Sequence, residues 1–79
     1  MKQSIVKEKS YSFALRIVAL SRWLRERKEF EFAGQLFRSG TSIGANVEEA
    51  LAGVSKADFV AKMAISSKES RETNYWLRL

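Results

Sequence analysis

The stretch RSGTSIGANVEEA, residues 38–50, decides the fold, because it sets two glycines and three hydroxyl side chains inside a helical pattern. Small and apolar residues recur there at spacings of four, three, four and three, at Leu36, Gly40, Ile43, Val47 and Ala50. A glycine inside a helix costs roughly 0.5–1 kcal/mol relative to alanine. Gly40 and Gly44 lie four residues apart, on one helix face, where a missing side chain lets a second helix approach closely. We therefore predict that Gly40 and Gly44 are helix-packing positions.

A glycine-rich loop that holds phosphate is the alternative interpretation of SGTSIG, residues 39–44. Such loops place backbone N–H groups around the phosphates and add a lysine, which this segment lacks. The apolar periodicity also continues through the segment without a break. Both observations favour the helix.

The remaining periodicity predicts two more helices and no strand. On the first helix one apolar face is formed by Phe13, Ile17, Leu20 and Leu24. Gly53 ends the second helix, and Ser55 with Asp58 resembles a capping box that opens the third. The predicted helices span about 4–28, 32–52 and 56–79. They form one all-α domain, residues 1–79, an antiparallel up-down bundle in which short connections join neighbouring helices.

The sequence ends on bulky apolar side chains, at Tyr75, Trp76, Leu77 and Leu79. At helical spacing beside leucines, these aromatics and Trp23 fit packing better than base stacking. An uncovered cluster of this kind predicts that a fourth, C-terminal helix is missing from the bundle, or that a partner chain covers the surface.

Size and composition narrow the remaining possibilities. A core built from 79 residues is marginal without disulfides, a metal or oligomerisation. The sequence has no cysteine and no histidine, so we expect no disulfide and no metal site, and oligomerisation remains. Neither a signal peptide nor a membrane span is readable, which predicts a cytoplasmic protein.

Catalysis lacks its usual groups. No serine has a histidine to activate it, and no thiol nucleophile exists. Glu69 and Glu72 form a carboxylate pair at helical spacing, but the Glu-x-x-His pattern of a di-iron bundle is absent. We predict a protein that is not an enzyme, with no catalytic residues, cofactor or small-molecule substrate.

The net charge of +5 is concentrated near the N-terminus, where residues 1–31 carry eight basic and four acidic side chains. This bias permits contact with RNA or DNA, for which the candidate cations are Arg16, Arg22, Arg25, Arg27 and Lys28. Because Glu26, Glu29 and Glu31 are interleaved with them, an ordinary solvated helix face is the competing interpretation.

Two polar tracks accompany the apolar faces of the second and third helices. They are rich in short hydroxyl and amide side chains, which plain surfaces favour less than long charged ones. We predict a hydrogen-bonded network at a helix or subunit boundary, with the members Arg38, Ser42, Asn46, Glu49, Glu69 and Glu72. Two ordinary solvated faces are the alternative.

Specific motifs connect the sequence with a known family. They are KSYSFALRIV at 9–18, RSGTSIGAN at 38–46, EEALAGVSKADF at 48–59 and KESRETNYWL at 68–77. In this order and at these separations the chain resembles the four helix bundle protein family, also described as the ribosomal RNA intervening-sequence protein family. Ser66, Ser67 and Ser70 depart from it, since alanine is commoner there in the family.

The resemblance implies an unbroken second helix, a C-terminal fourth helix and a homopentamer. The family is similar to the accessory protein of diversity-generating retroelements, for which a basic surface is thought to contact nucleic acid. Two functions follow as hypotheses. The first is an oligomer that binds RNA or DNA, and the second is a bundle that recognises a protein partner and has no nucleic-acid role.

Overall fold

Three α-helices make up the protein. The computed structural model describes the backbone of residues 2–79 and the side chains of residues 5–79, so Met1, with which the predicted domain begins, lies outside the described residues. The helices are α1 (Lys2–Glu26), α2 (Phe30–Ala52) and α3 (Lys56–Arg78), and residues 2–79 contain no strand. The predicted all-α bundle is confirmed, and α2 continues through both glycines.

The turn between α1 and α2 lies two residues earlier in the sequence than predicted. The first helix was expected to reach Lys28 but ends at Glu26, and the second begins at Phe30 rather than Phe32. Lys28 takes the left-handed conformation, with φ 64°. Its N–H donates to the Arg25 carbonyl at 2.9 Å, and the Glu29 N–H donates to the Leu24 carbonyl at 2.9 Å. These two bonds form a Schellman motif, which closes the helix early.

Side-chain capping marks the start of α3. Ser55 has extended backbone angles, and its Oγ accepts a hydrogen bond from the Asp58 N–H at 3.1 Å. This arrangement satisfies one of the free N–H groups of the first turn, as the sequence predicts. The helix ends at Arg78, one residue before the predicted end.

The middle helix α2 packs against both of the others. It contacts α1 on one flank and α3 on the other, whereas no Cα atom of α1 lies within 8 Å of a Cα atom of α3 in the described chain. Both pairs are antiparallel, because Gly40 and Gly44 face Ile17 and Ser10 while Ser39 and Ile43 face Thr73 and Ser66. An open groove therefore lies between α1 and α3.

The apolar core follows α2 and is small. Its buried members are Ile17, Ala33, Leu36, Val47 and Ala50. Four of the five belong to α2, which explains why this helix has the clearest amphipathic pattern in the sequence. With only one buried apolar residue from α1 and none from α3, the outer helices depend on α2 for their positions.

Candidate functional site

The two glycines of α2 lie where α1 comes closest. A Cβ atom built on Gly40 would stand 2.7 Å from Cγ1 and 2.8 Å from Cγ2 of Ile17. One built on Gly44 would stand 3.2 Å from the backbone oxygen of Ser10. Ile17 is itself buried, so it has little room to yield. The absent side chains thus allow α1 to pack directly on the α2 backbone.

Hydroxyl groups occupy the interface between α2 and α3. Thr73 Oγ1 donates to Ser39 Oγ at 3.0 Å and also lies 2.8 Å from the Glu69 carbonyl. Ser66 Oγ donates to the Ile43 carbonyl at 3.0 Å, which links the two helices through a backbone group. Since Ser39, Ser66 and Thr73 are all buried, these bonds offset the cost of removing hydroxyls from water.

Arg38 and two carboxylates extend this interface toward solvent. Arg38 Nη1 donates to Glu69 Oε1 at 3.2 Å, and Nη2 pairs with Glu72 Oε2. Glu72 also accepts from the Trp76 indole N–H at 3.1 Å. The hydrogen bond from Trp76, together with the Arg38 pair, lowers the pKa of Glu72 below its ordinary value. These ion pairs and hydrogen bonds determine which side of α3 packs against α2.

The other predicted members of the network are placed apart from this group. Ser42 Oγ donates to the Arg38 carbonyl at 2.6 Å, and Asn46 Nδ2 donates to the Ser42 carbonyl at 2.8 Å, both within α2. Glu49 pairs with Lys62 at 2.8 Å instead of reaching Arg38. The structure therefore brings together Arg38, Glu69 and Glu72, and places Glu49 in a separate pair that crosses the same helix interface.

The hydrogen bond at the buried centre of this interface was not predicted from the sequence. Ser39 and Thr73 were not among the predicted network residues, although their hydrogen bond is fully buried. A signal existed, because Ser39 is next to Gly40 and Thr73 lies four residues after Glu69. The two polar tracks predicted contact between α2 and α3. Residue spacing within one helix, however, cannot show which hydroxyl group of α2 pairs with which hydroxyl group of α3.

The five candidate cations for nucleic-acid contact are all exposed, but they do not share one side of α1. Arg22 and Arg25 are three residues apart and lie on one side. Arg16 precedes Arg22 by six residues, about 120° away around the helix. Arg27 and Lys28 belong to the turn, where the Arg27 guanidinium stacks on the Trp23 ring with 4.2 Å to the ring centroid.

The groove between α1 and α3, here called the α1–α3 groove, has two halves. One half lies among Phe13, Val47 and Met63, and the other lies among Leu24, Leu36 and Trp76. Leu77 borders both halves. Its walls are mostly apolar and come from all three helices.

The described residues show neither a candidate metal site nor a membrane-spanning helix. Residues 2–79 contain no group of three or more potential metal-ligating side chains. None of the described helices combines the length and the apolar character that crossing a bilayer requires.

Comparisons with known proteins agree with the family indicated by the motifs. The family model described as 23S rRNA-intervening sequence protein matches residues 2–79. A solved crystal structure at 1.70 Å, a protein with unknown function from the S23 ribosomal protein family of Bacteroides thetaiotaomicron VPI-5482, is 53% identical in sequence. The match has a TM-score of 0.95 and covers 99% of this chain and 70% of that chain. No curated protein matches.

Proposed function

The chain belongs to the 23S rRNA-intervening sequence protein family, and from that premise we propose a cytoplasmic, non-enzymatic assembly module that self-associates. One observation carries the proposal: among the described side chains fourteen large hydrophobic ones are exposed, ten of them outside the α1–α3 groove, whereas the buried apolar core contains five residues. A surface with so much apolar area is typical of proteins that associate. The homopentamer implied by the family resemblance is the expected form.

The side of α1 and α2 that faces away from the α1–α3 groove is the best candidate for self-association. We call this side the outer face and define it by Tyr11, Leu15, Phe30 and Phe37, which are 57%, 55%, 59% and 45% exposed. Tyr11 and Leu15 are four residues apart, and Phe30 and Phe37 seven, so each pair occupies one side of its helix. Aromatic and leucine side chains in such a patch supply the apolar area that holds subunits together.

Light scattering of the purified chain tests self-association. We expect a mass several times the 9.0 kDa of one chain, and we expect Leu15→Glu with Phe37→Glu to reduce it to that of a monomer. Val54→Glu is the matched control, since Val54 is fully exposed in the α2–α3 connection and should leave the mass unchanged. A monomeric wild-type chain at about 100 µM, well above the dissociation constants of stable oligomers, contradicts the proposal.

Binding of RNA or DNA is a second candidate function, supported by the excess of cations on α1. Arg16, Arg22, Arg25, Arg27 and Lys28 are exposed, and none of them pairs with a carboxylate among the described side chains. Self-association would repeat these cations around the assembly and strengthen the field. The contact would be to phosphates and tolerant of sequence.

Filter binding across a salt series tests this second function. We expect affinity to fall steeply between low and moderate salt, because each neutralised phosphate releases counterions. Arg22→Glu with Arg25→Glu should abolish retention of nucleic acid. Because Arg22 lies seven residues, about two helical turns, from Leu15 of the outer face, light scattering of the same variant establishes whether the assembly still forms. Lys56→Glu with Lys68→Glu on α3 is the control of equal charge, because both lysines are exposed and neither forms an ion pair among the described side chains. Absence of binding at low salt, or affinity that is insensitive to salt, refutes the nucleic-acid role.

A further inference from the structure

Gly34 differs from the other two glycines inside α2, because it packs against nothing in the described chain. A Cβ atom built on Gly40 or Gly44 would meet atoms of α1, whereas one built on Gly34 has no neighbouring atom within 4 Å. Glycine in a helix interior is less favourable than alanine, since it loses more backbone freedom on folding. The close helix contact that offsets this cost at Gly40 and Gly44 is therefore missing at Gly34.

Exposed aromatic side chains flank Gly34 along α2. Phe30 precedes it by four residues and Phe37 follows it by three, so the three positions share one side of the helix. Both phenylalanines are exposed, and the glycine between them leaves the backbone bare. The result is an apolar notch, here called the Gly34 notch, whose walls are Phe30 and Phe37 and whose floor is the α2 backbone.

The Gly34 notch is separate from the α1–α3 groove. Neither half of the groove is lined by Phe30, Gly34 or Phe37, and both phenylalanines belong to the outer face. A helix packed in the groove, such as the fourth helix that the family resemblance implies, would therefore leave the notch open. The notch is accessible to another molecule.

Leu15 of α1 is the matching feature of the outer face. It is more than half exposed, and it lies two residues from the buried Ile17, about 200° around the helix. Leu15 therefore points away from α2, and a chain cannot bring its own Leu15 to its own Gly34 notch. Leucine side chains that project from one helix into a hole on a facing helix are the usual contacts of packed helices.

We infer that the Gly34 notch receives Leu15 of a second copy, so that each chain inserts one side chain and accepts another. The inference rests on the self-association proposed above and names the contact that produces it. Because the inserted side chain and the notch are different features, the interface is heterologous, and such interfaces generate closed rings or open filaments. A closed ring can hold an odd number of subunits, as in the homopentamer implied by the family resemblance.

Nucleic acid is the other occupant that the outer face would admit. Its phosphates would pair with cations such as Arg22 and Arg25, and its bases would stack on the exposed faces of aromatic rings. Neither contact requires bare backbone between two rings. An inserted aliphatic side chain does require it, because the missing side chain of Gly34 is what lets a second helix approach closely. The notch therefore favours a second copy.

Two substitutions to the same new side chain test the inference by light scattering. Leu15→Gln removes the inserted side chain and Gly34→Gln fills the notch, so each should weaken self-association at least tenfold. An equimolar mixture of the two variants should contain pairs of chains, with about twice the 9.0 kDa mass of one chain, and nothing larger. In each pair Leu15 of the Gly34→Gln chain enters the intact notch of the Leu15→Gln chain, and neither a second Leu15 nor a second open notch remains.

A matched control separates the notch from a general effect of surface glutamine. Ala61→Gln places the same side chain at an exposed position of α3, and it should assemble as the wild-type chain does. Circular dichroism checks that each variant is folded, which we expect of Gly34→Gln because open space surrounds its Cβ position. If Gly34→Gln unfolds, Phe30→Ala removes one wall of the notch and replaces it in the mixture.

Three results overturn the inference while self-association stands. They are wild-type assembly by Gly34→Gln, a mixture that stays monomeric, and a mixture that regains the full mass of the wild-type assembly. A wild-type chain that is monomeric at about 100 µM contradicts self-association itself. The failure of the inference and the failure of the proposed function are therefore distinguishable.

Discussion

The two interfaces of α2 are built by opposite means. Toward α1, side chains are absent at Gly40 and Gly44, and the contact depends on the fit of Ile17 and Ser10 against bare backbone. Toward α3, the contact is made by hydroxyl groups and ion pairs, with Thr73 bonded to Ser39 at its buried centre. One interface is thus specified by shape and the other by hydrogen-bond partners. Shape tolerates little change in volume, whereas a polar network tolerates little change in partners.

The largest loss of stability should come from removing a buried side chain from the α1–α2 interface, which is specified by shape. Ile17→Ala removes a buried side chain from the surface that meets Gly40, and we expect the free energy of unfolding to fall by about 3 kcal/mol. Urea denaturation followed by circular dichroism measures it. Ile5→Ala, the same change on an exposed part of α1, should cost less than about 0.5 kcal/mol. Equal losses of unfolding free energy in the two variants would show that the contact between Ile17 and α2 does not stabilise the bundle.

A smaller effect should come from the interface specified by partners. Glu69 is buried beside Arg38, so Glu69→Ala removes a carboxylate that is shielded from water, and we expect a loss of about 1.5 kcal/mol. Glu49→Ala breaks the more exposed pair with Lys62 and should cost less than about 0.5 kcal/mol. Thermal denaturation of the two variants compares them. A larger loss for Glu49→Ala would contradict the central role of the Arg38 network.

The smallest expected effect is a dependence of the thermal stability on pH. The pKa of Glu72 is lowered by its hydrogen bond from Trp76 and by Arg38. The stabilisation is therefore present above the ordinary carboxyl pKa and is lost as pH falls through the lowered value. We expect the wild-type chain to be more stable than Glu72→Gln at pH 7, and the difference in melting temperature to shrink steadily as pH falls below the ordinary carboxyl pKa. A difference that does not change with pH would point to shape rather than charge.

Much of this architecture could be predicted from local spacing. The apolar repeat fixed the α2 helix through Gly40 and Gly44, and the Ser55 to Asp58 spacing located the start of α3. Each signal depends on residues that are only three or four positions apart in the sequence. At such short separations helical geometry alone determines which side chains meet. The end of α1 was harder to predict from the sequence, because Lys28 adopts a left-handed conformation that glycine usually occupies.

Relations between helices were harder to predict. The sequence named Arg38 with three candidate acids, and the structure selects Glu69 and Glu72 at separations of 31 and 34 residues. The α1–α3 groove has no signature in any single helix, since its sides come from two helices whose backbones do not approach each other. Lys9 of α1 and Arg71 of α3 line the same space, which no spacing within one helix could show.

One pair of substitutions tests most directly the claim that α1 packs where α2 lacks side chains. Gly34 has no neighbouring atom within 4 Å of a built Cβ, so Gly34→Ala should raise the free energy of unfolding by roughly 0.5–1 kcal/mol through helix propensity. Gly40→Ala brings the same gain but forces a methyl group against Ile17, and we expect a net loss of about 2 kcal/mol. Urea denaturation measures both changes. Changes of opposite sign in the free energy of unfolding support the claim that α1 packs where α2 lacks side chains. Equal stabilisation by the two alanine substitutions would contradict it.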